Sequence, residues 1–251
     1  MYRVLLRPRW IAFHLLCLAM VVAMINLGFW QLRRLDQKQT FNDAVRAAAS
    51  APVVPYDDSV DPYQRVEATG TYLDREFEVV NVSQDGSSGH DQVAALQLDD
   101  GTLLLVNRGF AAGGQALPPL PEGVVTVDGR VRASQSAGRG QPRDDGSQEL
   151  TEIRRVDVPV LAQQFDDDVQ RQYLEATAEN GEPIAGLAPI KFPTLDEGPH
   201  LSYAIQWFIF TICVVVGWVL VVRRAVHERQ VEAGVRPPST KKKPLIPEQY
   251  L

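Results

Sequence analysis

The sequence predicts two transmembrane helices flanking an extracytoplasmic α+β domain with a mostly antiparallel sheet. Three observations predict it. From Trp10 to Trp30 there are 21 residues without a formal charge, and from Leu201 to Val222 there are 22. At about 1.5 Å of rise per residue, each run spans roughly 30 Å, the hydrocarbon thickness of a bilayer. The formal charge of −6 is unevenly distributed, with net −15 between Asp36 and Pro199 and net +9 on the two ends together. Between the apolar runs, stretches such as QRVEATGTYL alternate small or apolar residues with polar ones, the period of a half-buried strand.

The chain divides into a cytoplasmic N-terminus (1–9), a first span (10–30), an outer domain (31–199), a second span (200–222) and a basic cytoplasmic tail (223–251). Orientation follows the flanking basic residues. Seven of them, Arg223 to Lys243, follow the second span, whereas only Lys191 lies in the twenty residues before Ser202. The C-terminus is therefore expected in the cytoplasm, and two spans bring the N-terminus to the same side. The first span reads as an uncleaved anchor, because the small-residue stretch AAASA at Ala47 to Ala51 lies well past the apolar run. No arginine-rich presequence precedes it, which points to a bacterial plasma membrane rather than a mitochondrion. The KKKP tail suits orientation and attraction to anionic lipid. An acidic main domain would be repelled by phosphates, so nucleic acid is not an expected partner.

Leaving the first span, QLRRLDQKQTFNDAVRAAA continues as helix with Leu32, Leu35, Phe41 and Val45 on a partial apolar stripe, ending by Pro52. APVVPYDDSVDPY is an extended linker. Four strand-like stretches follow: QRVEATGTYL, EFEVVNV, QVAALQLDDGTLLLVNRGF and VVTVDGRVRA, with Asp99 to Gly101 supplying a hairpin turn. Residues 134–149 are polar and glycine-rich and read as a mobile loop. Asp157 can cap a short helix through Phe165, with Pro159 tolerated in its first turn. VQRQYLEAT reads as the last strand, and a proline-rich run from Pro183 returns the chain to the membrane.

Residue usage argues against several chemistries. Cys17 and Cys213 both lie in the apolar runs, so the outer domain can hold no disulfide. Without thiols there, and with all three methionines (Met1, Met20 and Met24) near the N-terminus, it lacks the soft ligands of a copper carrier. His90 sits beside Ser87, Ser88 and Asp91, but GSSG is not a nucleophile elbow, and adjacent residues in a flexible loop seldom hold triad geometry. The expectation is a protein without enzymatic activity. His14 and Asn26 are polar residues inside the first span; Asn26 follows Ala19 and Ala23 on a small-residue face suited to helix packing, and His14 lies about one turn inside the cytoplasmic end. In LLLVNRGF, Asn107 and Gly109 are turn formers and Arg108 has many acidic neighbours to pair with.

Three segments together resemble the Surfeit locus protein family of cytochrome c oxidase assembly factors. LGFWQLRRLDQK at Leu27 to Lys38 resembles that family's first-helix signature. DDGTLLLVNRGF at Asp99 to Phe110 is similar to its central signature, with Phe110 where tryptophan is usual. PHLSYAIQWF at Pro199 to Phe208 resembles its second-helix signature, with Gly198 and Pro199 replacing the commoner asparagines. The resemblance implies a role in maturing subunit I of the haem-copper (aa3-type) oxidase, assisting insertion of haem a. It also implies contacts with subunit I and other oxidase or supercomplex subunits. A permanent accessory subunit is the alternative of a different class.

Within that resemblance the candidate site is one helix face. Pro199 suits the start of a helix, which puts His200 in the first turn, where the positive helix end disfavours imidazolium. A neutral imidazole is what haem iron needs. His200, Tyr203, Trp207 and Trp218 fall within roughly 60° at 100° per residue. Trp30 and Gln31 end the antiparallel first span at the same depth and could wall a haem a site. His14 is too far along the helix to ligate the same iron. Arg108 is a candidate contact to a partner carboxylate or a haem propionate, through its planar guanidinium. The other reading of the face is an aromatic belt that fixes helix depth.

Overall fold

In a computed structural model of the chain, residues 6–234 are described; Arg236 and the Lys241 to Lys243 run lie outside the described residues. Helix α1, Pro8–Ser50, contains the whole first apolar run and continues through the polar QLRRLDQKQT segment without a break. Helix α3, His200–Glu232, contains the second and likewise outlasts it. Both are long and apolar enough to cross a membrane. Continuity past the apolar runs is the physical default. No proline or glycine interrupts Gln31 to Ser50, and in a helix every backbone group between the ends is already paired. The described residues form two compact units, 6–39 with 196–234, and Thr40–Leu195.

The second unit is a barrel. Its strands are β1 (Val54–Pro55), β2 (Arg65–Gln84), β3 (Ser87–Leu98), β4 (Leu103–Ala112), β5 (Val124–Ala133), β6 (Glu152–Ile153) and β7 (Val169–Glu179). β2, β3, β4, β7 and β5 pair in that order, and β5 returns to β2. Only the β4–β7 contact in this ring is parallel. The expected mostly antiparallel sheet is thus closed on itself, in the order and directions of a five-stranded Greek-key barrel of the OB type. Closure requires β2 to serve two neighbours. Its first half pairs with β5, its second with β3, and Gly70 pairs with both Val125 and Leu98. A Cβ on Gly70 would lie 2.2 Å from the Gln97 carbonyl oxygen, so only glycine lets β3 cross there.

The ring is packed on both faces. Val66, Leu96, Leu104, Val106, Val127 and Leu174 fill the interior. The alternate residues Val93, Leu105 and Tyr173 face outward and pack beneath Ile153, Val156, Val158 and Leu161. This is why the apolar run LLLV in β4 shows no alternation: both of its faces are covered.

Three local expectations differ from the structure. The His90 segment is strand, not loop. β2 and β3 meet in a two-residue hairpin at Asp85 and Gly86, both with positive φ, the primed turn that an Asp-Gly pair favours. The short helix α2, Val158–Leu161, does follow Asp157, and a 3₁₀ turn takes the chain to Gln164. Asp157 makes no side-chain cap, however, and the Val158 N–H donates instead to Ser134 Oγ at 3.0 Å. Residues 134–149 are irregular yet pinned: Arg154 Nη1 reaches Asp144 at 2.6 Å, and Gln164 Nε2 donates to the Gly146 carbonyl at 2.7 Å. Their polar groups find partners in the protein rather than only in water.

Candidate functional site

In the helical unit, half-buried or buried positions on α1 recur at Cys17, Val21, Met24, Gly28, Gln31 and Leu35, and on α3 at His200, Ala204, Trp207, Thr211 and Val214. Steps of three and four residues keep these positions on one side of each helix. Near the Gln31 end, Gly28 is buried, and a Cβ there would lie 2.8 Å from the Phe208 ring, which also meets Phe29 edge-on at 5.7 Å. Glycine permits the close approach of Phe208.

One turn beyond this contact, His200 Nδ1 lies 2.8 Å from Gln31 Oε1. An amide oxygen can only accept, so Nδ1 carries the proton and a neutral ring keeps its lone pair on Nε2. His200 is the first residue of α3, with Pro199 as its N-cap, one position later than expected but still in the first turn. The amide acceptor favours the Nδ1–H tautomer over the Nε2–H one. Tyr203 and Trp30 are exposed and Trp207 is half-buried against Phe210. The Arg34 guanidinium stands 5.9 Å from the Trp30 ring centroid. The unit thus brings together His200 and Gln31, beside exposed aromatic surface.

Trp218 belongs to the other end of the unit. Its Nε1–H donates to His14 Nδ1 at 2.8 Å, which leaves the remaining proton of a neutral His14 on Nε2 and no lone pair for a metal there. Seventeen residues of helix separate His14 from Gln31, about 25 Å of rise.

Arg108 lies in the barrel unit, on β4, and is 3% exposed. Its Nε and Nη2 donate to the two carboxylate oxygens of Glu179, each at 2.8 Å, and Nη1 donates to Gln92 Oε1 at 2.8 Å. Tyr72 Oη donates to the same Glu179 carboxylate, and the guanidinium lies over the Tyr72 ring. Burial opposes the arginine's charge, but the Glu179 hydrogen bonds and charge outweigh it and raise its pKa. The bidentate geometry expected of Arg108 is thus occupied by a carboxylate of the same chain, and it ties β4 and β2 to β7. The neighbouring residues work outward. Asn107 donates to Asp91 Oδ2 at 3.0 Å and accepts from the Gly109 N–H. Gly109, at φ 139, could carry no Cβ without meeting the Ala188 carbonyl at 2.7 Å. His90, Ser87 and Ser88 lie along β3 with no hydrogen bond among them. The Asn107–Asp91 and Arg108–Glu179 pairs escaped the sequence reading; the motif drew attention to their first members, but nothing in the sequence named the second.

A scan of known families matches the SURF1 family over residues 18–212, a span that contains Gln31, Arg108 and His200. The chain belongs to the SURF1 family. An uncharacterised SURF1-like protein of Mycobacterium tuberculosis is 30% identical over 265 residues, covering 98% of this chain and 95% of the relative. A SURF1-like protein of Monosiga brevicollis is 29% identical over 247 residues, covering 88% and 90%. One from Rickettsia felis is 24% identical over 227 residues, covering 85% and 98%. SURF1 similarity therefore runs through both apolar helices and the barrel between them.

Whether the helical unit suits haem a can be tested on its own residues. The iron of a haem needs a neutral nitrogen donor, and its macrocycle needs apolar surface. His200 Nε2 supplies the first, and exposed Trp30 and Tyr203, with half-buried Trp207, supply the second. His200 would be the one residue of this set to hold the iron, with the aromatic side chains beside the macrocycle.

Proposed function

We propose that this SURF1 family member is a membrane-embedded assembly factor for haem-copper cytochrome c oxidase, carrying haem a toward subunit I. His200 Nε2 is the proposed iron ligand, and Gln31 holds the imidazole in the tautomer that leaves this nitrogen free. The carrying observation is the 2.8 Å contact between His200 Nδ1 and Gln31 Oε1. A residue that served only to anchor a helix at the membrane surface would have no need of a fixed tautomer. The helical unit would present the cargo at the membrane boundary, and the barrel would engage the oxidase. In the proposed orientation both termini are cytoplasmic and the barrel lies on the outer face of a bacterial plasma membrane, because the basic residues cluster after the second span.

The deciding experiment compares wild type with His200→Ala and Gln31→Leu in a strain lacking the native gene. It reads co-purified haem a by absorbance and the haem a content of purified oxidase. His200→Ala should insert normally, lose the co-purified haem and lower the oxidase's haem a. Gln31→Leu, which frees the tautomer without removing the ligand, should weaken retention. Unchanged haem in both variants would make His200 a membrane anchor. Stoichiometric retention of the protein in mature oxidase, with full haem a after its deletion, would instead indicate a permanent accessory subunit.

A further inference from the structure

Outside the interior of the barrel, the barrel unit itself holds a second polar centre. β4, β7 and β5 bring Asn107 beside Glu175, Glu175 beside Arg130, and Tyr173 beside Arg132, all with outward-facing side chains. Asp91 joins them from β3 through its bond to Asn107. Of these, Asp91, Asn107, Arg132, Tyr173 and Glu175 line a cavity of about 240 Å³, with Lys191 beside them and Val156 and Ile190 on its apolar side.

Most of the polar atoms have partners. Arg130 Nε donates to Glu175 Oε2 at 2.6 Å, while Arg132 Nε stands at 3.5 Å from Glu175 Oε1. Gln135 Nε2 donates to Tyr173 Oη at 2.9 Å, a bond that consumes an acceptor site and leaves the phenol hydrogen to be given. One atom has none. Asp91 is 7% exposed and its Oδ1 is buried without a hydrogen bond, a state that costs free energy until a donor fills it. Burial above all, and then Glu175 acting against the Asn107 bond, push the Asp91 carboxyl up to about 6; at neutral pH it is a buried anion short of a donor.

The cavity therefore asks for a donor at Asp91 and an acceptor at Tyr173 and Arg132. Two carboxylates, Asp91 and Glu175, and two cations, Arg132 and a Lys191 already paired with Asp85, line it, so a ligand of zero net charge with separated charges keeps the balance. At roughly 30 Å³ for each water-sized group, the space holds about eight such groups. We propose that this cavity binds a small zwitterion of the α-amino acid class. Its ammonium donates to Asp91 Oδ1, its carboxylate accepts from Tyr173 Oη and Arg132, and its side chain rests on Val156 and Ile190. Planar guanidinium is the natural carboxylate partner. The proposal does not depend on the haem reading.

The test is calorimetric titration of the full chain in detergent at pH 7.5 with L-leucine. Isovalerate, which lacks the ammonium, and L-leucinamide, which lacks the carboxylate, serve as the comparison arms. Leucine should bind at least about tenfold more tightly than either, and Asp91→Asn should lose at least about tenfold in leucine affinity. If that variant does not fold, wild type titrated at pH 5, where the carboxyl is protonated, should show the same loss. Equal binding of the three probes, unchanged affinity in Asp91→Asn or at pH 5, or no heat with leucine at millimolar concentration would each overturn the proposal and leave the cavity to water.

Discussion

Replacing Arg108 by methionine should unfold the barrel unit at a markedly lower temperature. The substitution strands the Glu179 carboxylate, whose side chain is 11% exposed, and also removes the donor to Gln92 Oε1. Breaking one side of a buried, hydrogen-bonded pair costs about 3–5 kcal/mol. In a unit of this size each kcal/mol lowers the midpoint by about 2–4 °C, so a fall on the order of 10 °C is expected. Adding Glu179→Gln should restore about half of the loss, because the amide removes the stranded charge yet still offers an oxygen to Tyr72 Oη. Thermal unfolding of the full chain in detergent, followed by near-ultraviolet circular dichroism, measures both. A single variant melting within about 2 °C of wild type, or a double variant no better than the single, would refute an internal strap. The double variant also separates stability from recognition. If it folds and still fails to mature oxidase, the guanidinium is needed by a partner as well as by the barrel.

Asp91 gives a pH signature. Its folded-state pKa is raised from 3.8 to about 6, so the folded state holds the proton more tightly than the unfolded chain. The stabilisation is full below about 3.8 and is lost as pH rises through about 6, amounting to about 3 kcal/mol. Melting between pH 4 and pH 7 should show this fall in wild type, and Asp91→Asn should lack it. Parallel curves would contradict the buried-anion account, in which Asn107, Glu175 and His90 are the groups facing Asp91. Gly28→Leu should wedge Phe208 away from α1 and disturb the His200–Gln31 contact; retention of wild-type co-purified haem a would argue against that coupling. Trp218→Phe, which loses the bond to His14 and part of the ring volume beside it, should leave haem a retention near wild type, whereas a loss as large as that of His200→Ala would move the site along the helices. In a background with Cys17 and Cys213 replaced by serine, a cysteine at exposed Ser87 should react with an impermeant thiol reagent in intact cells, and one at Glu232 should not. The reverse labelling would invert the proposed orientation.

The sequence by itself determined the parts whose causes are local. Uncharged runs of bilayer length made α1 and α3, the Asp99 to Gly101 stretch marked a hairpin turn, and the alternation in Val66, Ala68, Gly70 and Tyr72 marked a strand with one face inward. It also carried the motifs that placed Gln31, Arg108 and His200 under suspicion. Tertiary structure alone decided what each of them meets. His200 finds Gln31 across 169 positions of chain, and Arg108 finds Glu179 across 71, because a buried donor takes whichever acceptor the fold sets beside it. Barrel closure has the same origin: it depends on β5 returning to β2 and on β4 lying parallel to β7, registers fixed by the packing of two faces at once. Asp91 is the sharpest case. Nothing in QDGSSGHDQ distinguishes it from the other exposed-looking acids of the chain, and only the covering of the barrel's outer face leaves one of its oxygens buried and unpaired.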